Sequence, residues 1–140
     1  MQEAIKKHLN TLKSCPNIKI LPPLDYGKFV YLLTRTHLIM TDSGGIQEEA
    51  PNLGKPVLIL RNVTERPEGI MSGNTKIIGT DTDNIVSETE KLLEDQTAYE
   101  AMSLASRPYG NGNAAKTITN VLIEVMSREP THTFEKRKWI

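Results

Sequence analysis

Residues 37–50 read His37-Leu38-Ile39-Met40-Thr41-Asp42-Ser43-Gly44-Gly45-Ile46-Gln47-Glu48-Glu49-Ala50. An apolar run of strand length, His37 to Thr41, passes directly into a turn holding two adjacent glycines. From Ile46 the pattern is helical and carries to about Leu53, where Gly54 marks the stop. Pro51 falls inside that stretch and shortens or kinks it, because it lacks the N–H that a helix interior requires. A buried strand feeding a glycine turn and a helix is the first half of a βαβ unit.

Working outward, the same alternation recurs. Upstream, Glu3 to Lys13 places Ile5, Leu9 and Leu12 at helical spacing, and Ile18 to Leu21 is a short β-branched run stopped by Pro22-Pro23. Asp25 reads as an N-cap for a helix over Tyr26 to Thr34. Downstream, Pro56 to Leu60 is a fully apolar strand, and a polar loop from Arg61 to Pro67 leads to a short helical piece near Glu68 to Ser72. Lys76 to Gly79 reads as a further strand. Helices are expected over Thr82 to Leu93, Ala98 to Ala105 and Ala114 to Met126, with a turn at Gly110-Asn111-Gly112-Asn113. Short apolar strands separated by helices imply right-handed crossovers and a parallel sheet buried on both faces. The expected fold is α/β: a Rossmann-like three-layer domain over residues 1–127 with at least four parallel strands. Residues 128–140 read as a polar tail, loosely ordered.

Composition narrows the function. The 140 residues suit one domain, and 17 Lys+Arg balance 17 Asp+Glu, giving a formal net charge of zero. No global field draws in nucleic acid or an anionic membrane, so any bound anion must be held by a local device. The lone Cys15 offers neither a disulfide nor a zinc pattern, and no metal or cofactor is expected. The N-terminal segment lacks the apolar core of a signal peptide, and no apolar run approaches membrane length. The expected setting is cytoplasmic.

In an open α/β sheet, the turn at Ser43-Gly44-Gly45 falls at the carboxyl edge, where ligands bind. Two glycines admit close approach of an anion, and the N–H groups and dipole of the following helix favour phosphate. The Ser43 hydroxyl can donate to a phosphoryl oxygen or cap the helix. Glu49, about one turn inside, can accept bonds from two vicinal hydroxyls, so the stretch suits a diphosphate joined to a ribose. The plainer alternative is a tight βα turn with Ser43 as N-cap and Gln47-Glu48-Glu49 compensating the dipole. The loop Arg61-Asn62-Val63-Thr64-Glu65-Arg66-Pro67-Glu68 lies on the same edge. Arg66, restrained by Pro67, can grip phosphate with its guanidinium fork, or be neutralised by Glu65 or Glu68 in a surface pair. His8, His37 and His132 have no nucleophile partner in the pattern. Asp81 and Asp83 read as caps, Lys136-Arg137-Lys138 as a solvated basic run, and Tyr26 and Phe29 as core aromatics.

The segment TDSGGIQEEAPNLGKPVLILRNVTERPEGIMSGNTKIIGTD, Thr41 to Asp81, closely resembles the non-hydrolysing UDP-N-acetylglucosamine 2-epimerases. Its DSGG-QEEA, GKPVL and TERPE elements keep that family's order and spacing. DYGKFVYLL upstream and SRPYGNGNAAKTI downstream resemble the family too, so the likeness spans roughly residues 1 to 127. It implies the C-terminal, nucleotide-binding half of a two-domain GT-B architecture. The reaction implied interconverts UDP-N-acetylglucosamine and UDP-N-acetylmannosamine by elimination of UDP to a glycal and re-addition. By the resemblance, Ser43, Gly44 and Gly45 match the diphosphate turn, Glu49 the ribose ligand, Arg66 a contact to the nucleotide sugar and Phe29 an aromatic near the uracil.

The family's acid/base carboxylates and an important histidine belong mainly to an N-terminal domain that no segment here matches. The chain, an excised domain or a naturally shortened protein, is therefore expected to bind UDP or a UDP-N-acetylhexosamine without turning it over alone. The last helix is expected either to expose Ile118, Val121, Leu122 and Val125 or to bury them in a homodimer. Two other readings stand beside this one: a non-catalytic nucleotide-sugar or regulatory module, which shares every binding residue, and half of a GT-B glycosyltransferase, against which the TERPE loop argues.

Overall fold

The computed structural model describes residues 8–9, 11–104 and 107–128. They fall in two units, Met1–Thr36 and His37–Ile140. In the first unit, residues 11–14 are helical, while the start of the expected helix from Glu3 lies outside the described residues. Helix α1 spans Tyr26–Arg35. Asp25 caps it as expected: its carboxylate accepts the Lys28 N–H at 2.9 Å and pairs with Lys28 Nζ at 2.7 Å. Those Lys28 contacts, its ammonium foremost, hold the Asp25 carboxyl below its ordinary 3.8.

The expected strand at Ile18–Leu21 does not form. Among the described residues it pairs with no strand, and Ile18, Ile20 and Leu21 are exposed. β-Branched composition favours extended backbone, but a strand exists only where a neighbour takes its N–H and C=O groups. Pro22 and Pro23, immediately downstream, have no N–H to give a ladder.

The second unit carries the parallel sheet, with three strands among the described residues rather than four or more. These are β1 (Ile39–Thr41), β2 (Val57–Ile59) and β3 (Thr75–Ile77), ordered β1-β2-β3. Ile39 aligns with Val57 and Val57 with Thr75; Met40 aligns with Leu58 and Leu58 with Lys76. In-register neighbours point to the same side, so each set of aligned residues marks one face. All of β2 is buried, as its unbroken apolar sequence requires of a central parallel strand.

Helices cover both faces. Helix α2 (Gly44–Glu49) follows β1 and ends where Pro51 opens a single 3₁₀ turn, Pro51–Leu53. Gly54, at φ 65°, closes that turn in the left-handed region that glycine tolerates. Helix α3 (Pro67–Met71) lies against β3, with Gly69 over Thr75. On the other face sit α4 (Thr82–Glu94) and α5 (Gln96–Ser103). There Leu58, Ile78 and Leu92 form a buried cluster joined by Leu38, Leu60, Ile85, Ala98 and Met102. The Lys76–Glu88 pair at 2.6 Å stands on the same side. Asp81 caps α4 and Asp95 caps α5, each accepting an N–H three residues on.

Asn74 is fully buried, and its Nδ2 donates to Met102 O at 2.8 Å and Leu104 O at 2.7 Å, tying the start of β3 to the end of α5. Helix α6 (Ala114–Arg128) completes the described chain. Its Ile118, Val121, Leu122, Ile123, Val125 and Met126 are all more than half exposed. No helix among the described residues is long and apolar enough to cross a membrane. The tail from 129 onward, including Lys136-Arg137-Lys138, lies outside the described residues.

Candidate functional site

Two loops leave the carboxyl ends of the paired strands β1 and β2, and each is folded by a threonine. After β1, Thr41 Oγ1 accepts the Ser43 N–H at 3.0 Å. After β2, Thr64 Oγ1 accepts the Arg66 N–H at 3.2 Å. A hydroxyl bonding the amide two residues on replaces a backbone turn and fixes where the chain goes next. Here it aims the first loop into α2 and the second back across α2.

Ser43 stands at the N-cap of α2, yet its hydroxyl makes no capping bond. The plainer alternative, a serine cap over a tight turn, is therefore not what the side chain does. Helices α1, α4 and α5 each have an aspartate accepting an early amide. Among the described residues the first amides of α2, like those of the Pro67–Met71 helix, have no such acceptor, and an anion would supply one to α2.

Arg66 reaches across to this turn. A β-carbon built on Gly44 would lie 3.0 Å from Arg66 Cζ and 3.2 Å from Nε and Nη2, so the guanidinium rests directly on the glycine. Its Nε donates to Glu48 Oε1 at 2.7 Å, and Nη1 faces Glu65 Oε2 at 3.4 Å. Among the described residues no acceptor takes Nη2. Glu65 also lies 3.5 Å from Arg61 Nη1. Its carboxyl is held below the ordinary 4.5 first by its own backbone N–H, with Arg61 and Arg66 adding to the effect. The Glu48 bond raises the Arg66 pKa above its ordinary value, so the guanidinium keeps its charge at any working pH.

The nearest partner of Arg66 is thus Glu48, at 2.7 Å, which the sequence reading did not name, while Glu65, one of the two it did name, is a second partner at 3.4 Å. The signal was present: Gly44 and Glu48 are four apart on a helix and share a face, so a group over one meets the other. Gln47 is the second residue missed. It is 1% exposed, and its Oε1 accepts the Thr64 hydroxyl at 2.6 Å. Its Nε2 has no partner among the described residues. Tyr109 is a third, its hydroxyl accepting the Gly69 N–H at 3.2 Å. Burial, then the Glu68 and Glu48 carboxylates, raise its phenol above 10.0, with the Gly69 N–H and then Arg66 opposing.

Of the expected site residues, Ser43, Gly44, Gly45 and Arg66 come together at this edge. Glu49 ends α2, half-buried, and makes no side-chain hydrogen bond among the described residues. It is offset from Glu48 by about 100° around the helix. Phe29 is a half-buried residue of α1, in the first unit. Among the described residues the arrangement offers uncapped amides, a free hydroxyl and one unshared guanidinium donor, Nη2, which together can hold an anion with a polar extension.

The comparisons with known proteins agree on one family. The family model for UDP-N-acetylglucosamine 2-epimerase matches residues 1–123. The UDP-N-acetylglucosamine 2-epimerase of Campylobacter jejuni is 48% identical over 118 residues, covering 84% of this chain and 31% of the relative. The crystal structure of the Neisseria meningitidis UDP-GlcNAc 2-epimerase bound to UDP-GlcNAc matches at 46% identity and TM-score 0.79, over 85% of this chain and 32% of that one. A Staphylococcus aureus protein solved with UDP matches at 40% identity and TM-score 0.82, over 92% and 36%. The chain spans about a third of the length of the relatives it matches. With the parallel sheet and its edge site in place, the matched family model makes this chain a member of the UDP-N-acetylglucosamine 2-epimerase family.

Proposed function

We propose that this chain is the UDP-binding part of a UDP-N-acetylglucosamine 2-epimerase. The observation that carries the reading is Arg66 lying over Gly44 with its Nη2 donor unshared among the described residues, beside α2 amides that Ser43 leaves uncapped. The diphosphate is assigned to Ser43, Gly44, Gly45 and Arg66, and the ribose hydroxyls to Glu49. Phe29 is assigned to the uracil on the family resemblance alone. A diphosphate needs several donors and one fixed cation, which this edge supplies.

Turnover needs more. Interconversion of the gluco and manno sugars, by loss and re-addition of UDP, requires acid and base groups held at the sugar. Such groups each contribute about 10²–10⁴-fold, and closure around the substrate adds to that. The relatives are about three times longer, and the acid and base groups are assigned to the part of them that this chain does not match. The setting proposed is cytoplasmic, in keeping with the single, unpaired Cys15. A homodimer through the exposed apolar positions of α6 is proposed as well, and sedimentation against concentration tests it.

Calorimetry with UDP, ADP and GDP tests the binding assignment. UDP is expected to bind more tightly than either purine nucleotide, and equal affinity for all three refutes it. Incubation with UDP-N-acetylglucosamine tests the division of labour. No manno epimer is expected from the chain alone, and its appearance refutes the assignment of the acid and base groups elsewhere.

A further inference from the structure

We propose that Glu48 is the positioning residue that aims Arg66 at an anion on the Ser43–Gly45 turn. The proposal rests on the UDP-binding assignment and adds a residue to it. Arginine has a long side chain with several rotamers, and 2.7 Å from Nε to Glu48 Oε1 selects one of them. That bond engages Nε and keeps the guanidinium against Gly44, where a β-carbon would meet Cζ at 3.0 Å. It leaves Nη2 as the unshared donor nearest the turn.

A second tie backs the first. Thr64, two residues before Arg66, donates to Gln47 at 2.6 Å, one residue before Glu48. Two consecutive residues of α2 therefore hold two alternate residues of the loop. Gln47 is buried, so this tie fixes the backbone, and Glu48 fixes the guanidinium. Glu65, by contrast, is exposed and 3.4 Å from Nη1, a contact an incoming phosphate can displace.

A carboxylate beside a phosphate site has an electrostatic effect of known sign: its removal should tighten anion binding. Positioning predicts the reverse for some replacements, and this separates the two. Glu48→Ala and Glu48→Asp both lose the reach to Nε, whereas Glu48→Gln keeps an oxygen acceptor without the charge. In calorimetry with UDP, Glu48→Ala and Glu48→Asp are expected to weaken binding about tenfold, and Glu48→Gln to stay within about threefold of wild type. Because Glu48 acts through Arg66, adding Glu48→Ala to Arg66→Ala is expected to weaken binding no further.

Each failure has its own signature. If the wild-type chain binds no UDP, the functional assignment falls and the proposal with it. If UDP binds and Arg66→Ala changes nothing, Arg66 is not the anion's cation and Glu48 has nothing to aim. If Arg66→Ala weakens binding while Glu48→Ala and Glu48→Asp match or exceed wild type, the site stands and the positioning role is overturned. Thermal melts of each variant establish that it is folded. If Glu48→Ala does not fold, Glu48→Asp and Glu48→Gln carry the same contrast.

Discussion

The guanidinium of Arg66 rests so close to Gly44 that a β-carbon there would meet Cζ at 3.0 Å and push it aside. The glycine is therefore required by a close side-chain approach, since neither Gly44 nor Gly45 has a positive φ.

Gly44→Ala follows from that contact. The obstructing atoms are the far end of a flexible side chain, so the cost in stability is small, within about 0.5–1 kcal/mol. The guanidinium must give by a few tenths of an ångström, however, which moves Nη2 and stretches the Glu48 bond. Affinity for UDP is expected to fall about tenfold while the melting temperature stays nearly constant, measured by calorimetry and a thermal melt.

Gly69→Ala should behave in the opposite way. A β-carbon there would lie 2.7 Å from Thr75 Oγ1 and 3.2 Å from Thr75 Cγ2, between α3 and the rigid start of β3. The overpacking is expected to cost about 1–3 kcal/mol. Thr75→Ala removes two of the three close atoms, the nearest included, leaving Tyr109 Oη at 3.2 Å, and it removes a buried hydroxyl without a partner among the described residues. The double variant should therefore be more stable than the two single costs added together, as read by denaturant unfolding.

Asn74→Ala removes both bonds from its Nδ2 to Met102 O and Leu104 O. Two carbonyls lose a buried donor, so a loss of about 2–4 kcal/mol is expected in urea unfolding. A loss under about 1 kcal/mol would mean that water replaces the amide.

Tyr109 supplies a test in pH. Its phenol is raised above 10.0 by burial, so the folded protein holds that proton more tightly than the unfolded chain. The stability linked to it is fully present below pH 10.0 and is lost as pH rises through the higher folded value. The difference between wild type and Tyr109→Phe in ultraviolet phenolate titration should therefore develop above pH 10.0. A difference already complete below that pH would contradict the burial.

Local chemistry made much of this fold legible in the sequence. Asp25 and Asp81 are caps because a short carboxylate before a helix accepts its early amides, whatever surrounds it. The central strand follows from an apolar run, and the end of α2 from a proline that cannot donate. The edge turn follows from paired glycines after a strand, and its placement beside the Arg61–Glu68 loop from parallel order. Words such as DSGG-QEEA and TERPE carried the family for the same reason: they are contiguous.

Tertiary structure decided what depends on residues far apart in the chain. Ile18–Leu21 has strand composition but no partner, and a ladder needs two strands. Glu48 and Glu49 are adjacent acids in the sequence. Only the crossing of the second loop over α2 gives the first of them to Arg66 and leaves the second unshared. Gln47, read with Glu48 and Glu49 as compensating the helix dipole, is buried with its Oε1 taken by Thr64, and Tyr109 meets Gly69 forty positions away. Periodicity names the face of a helix, but the neighbour that covers it is set by how strands and loops are brought side by side.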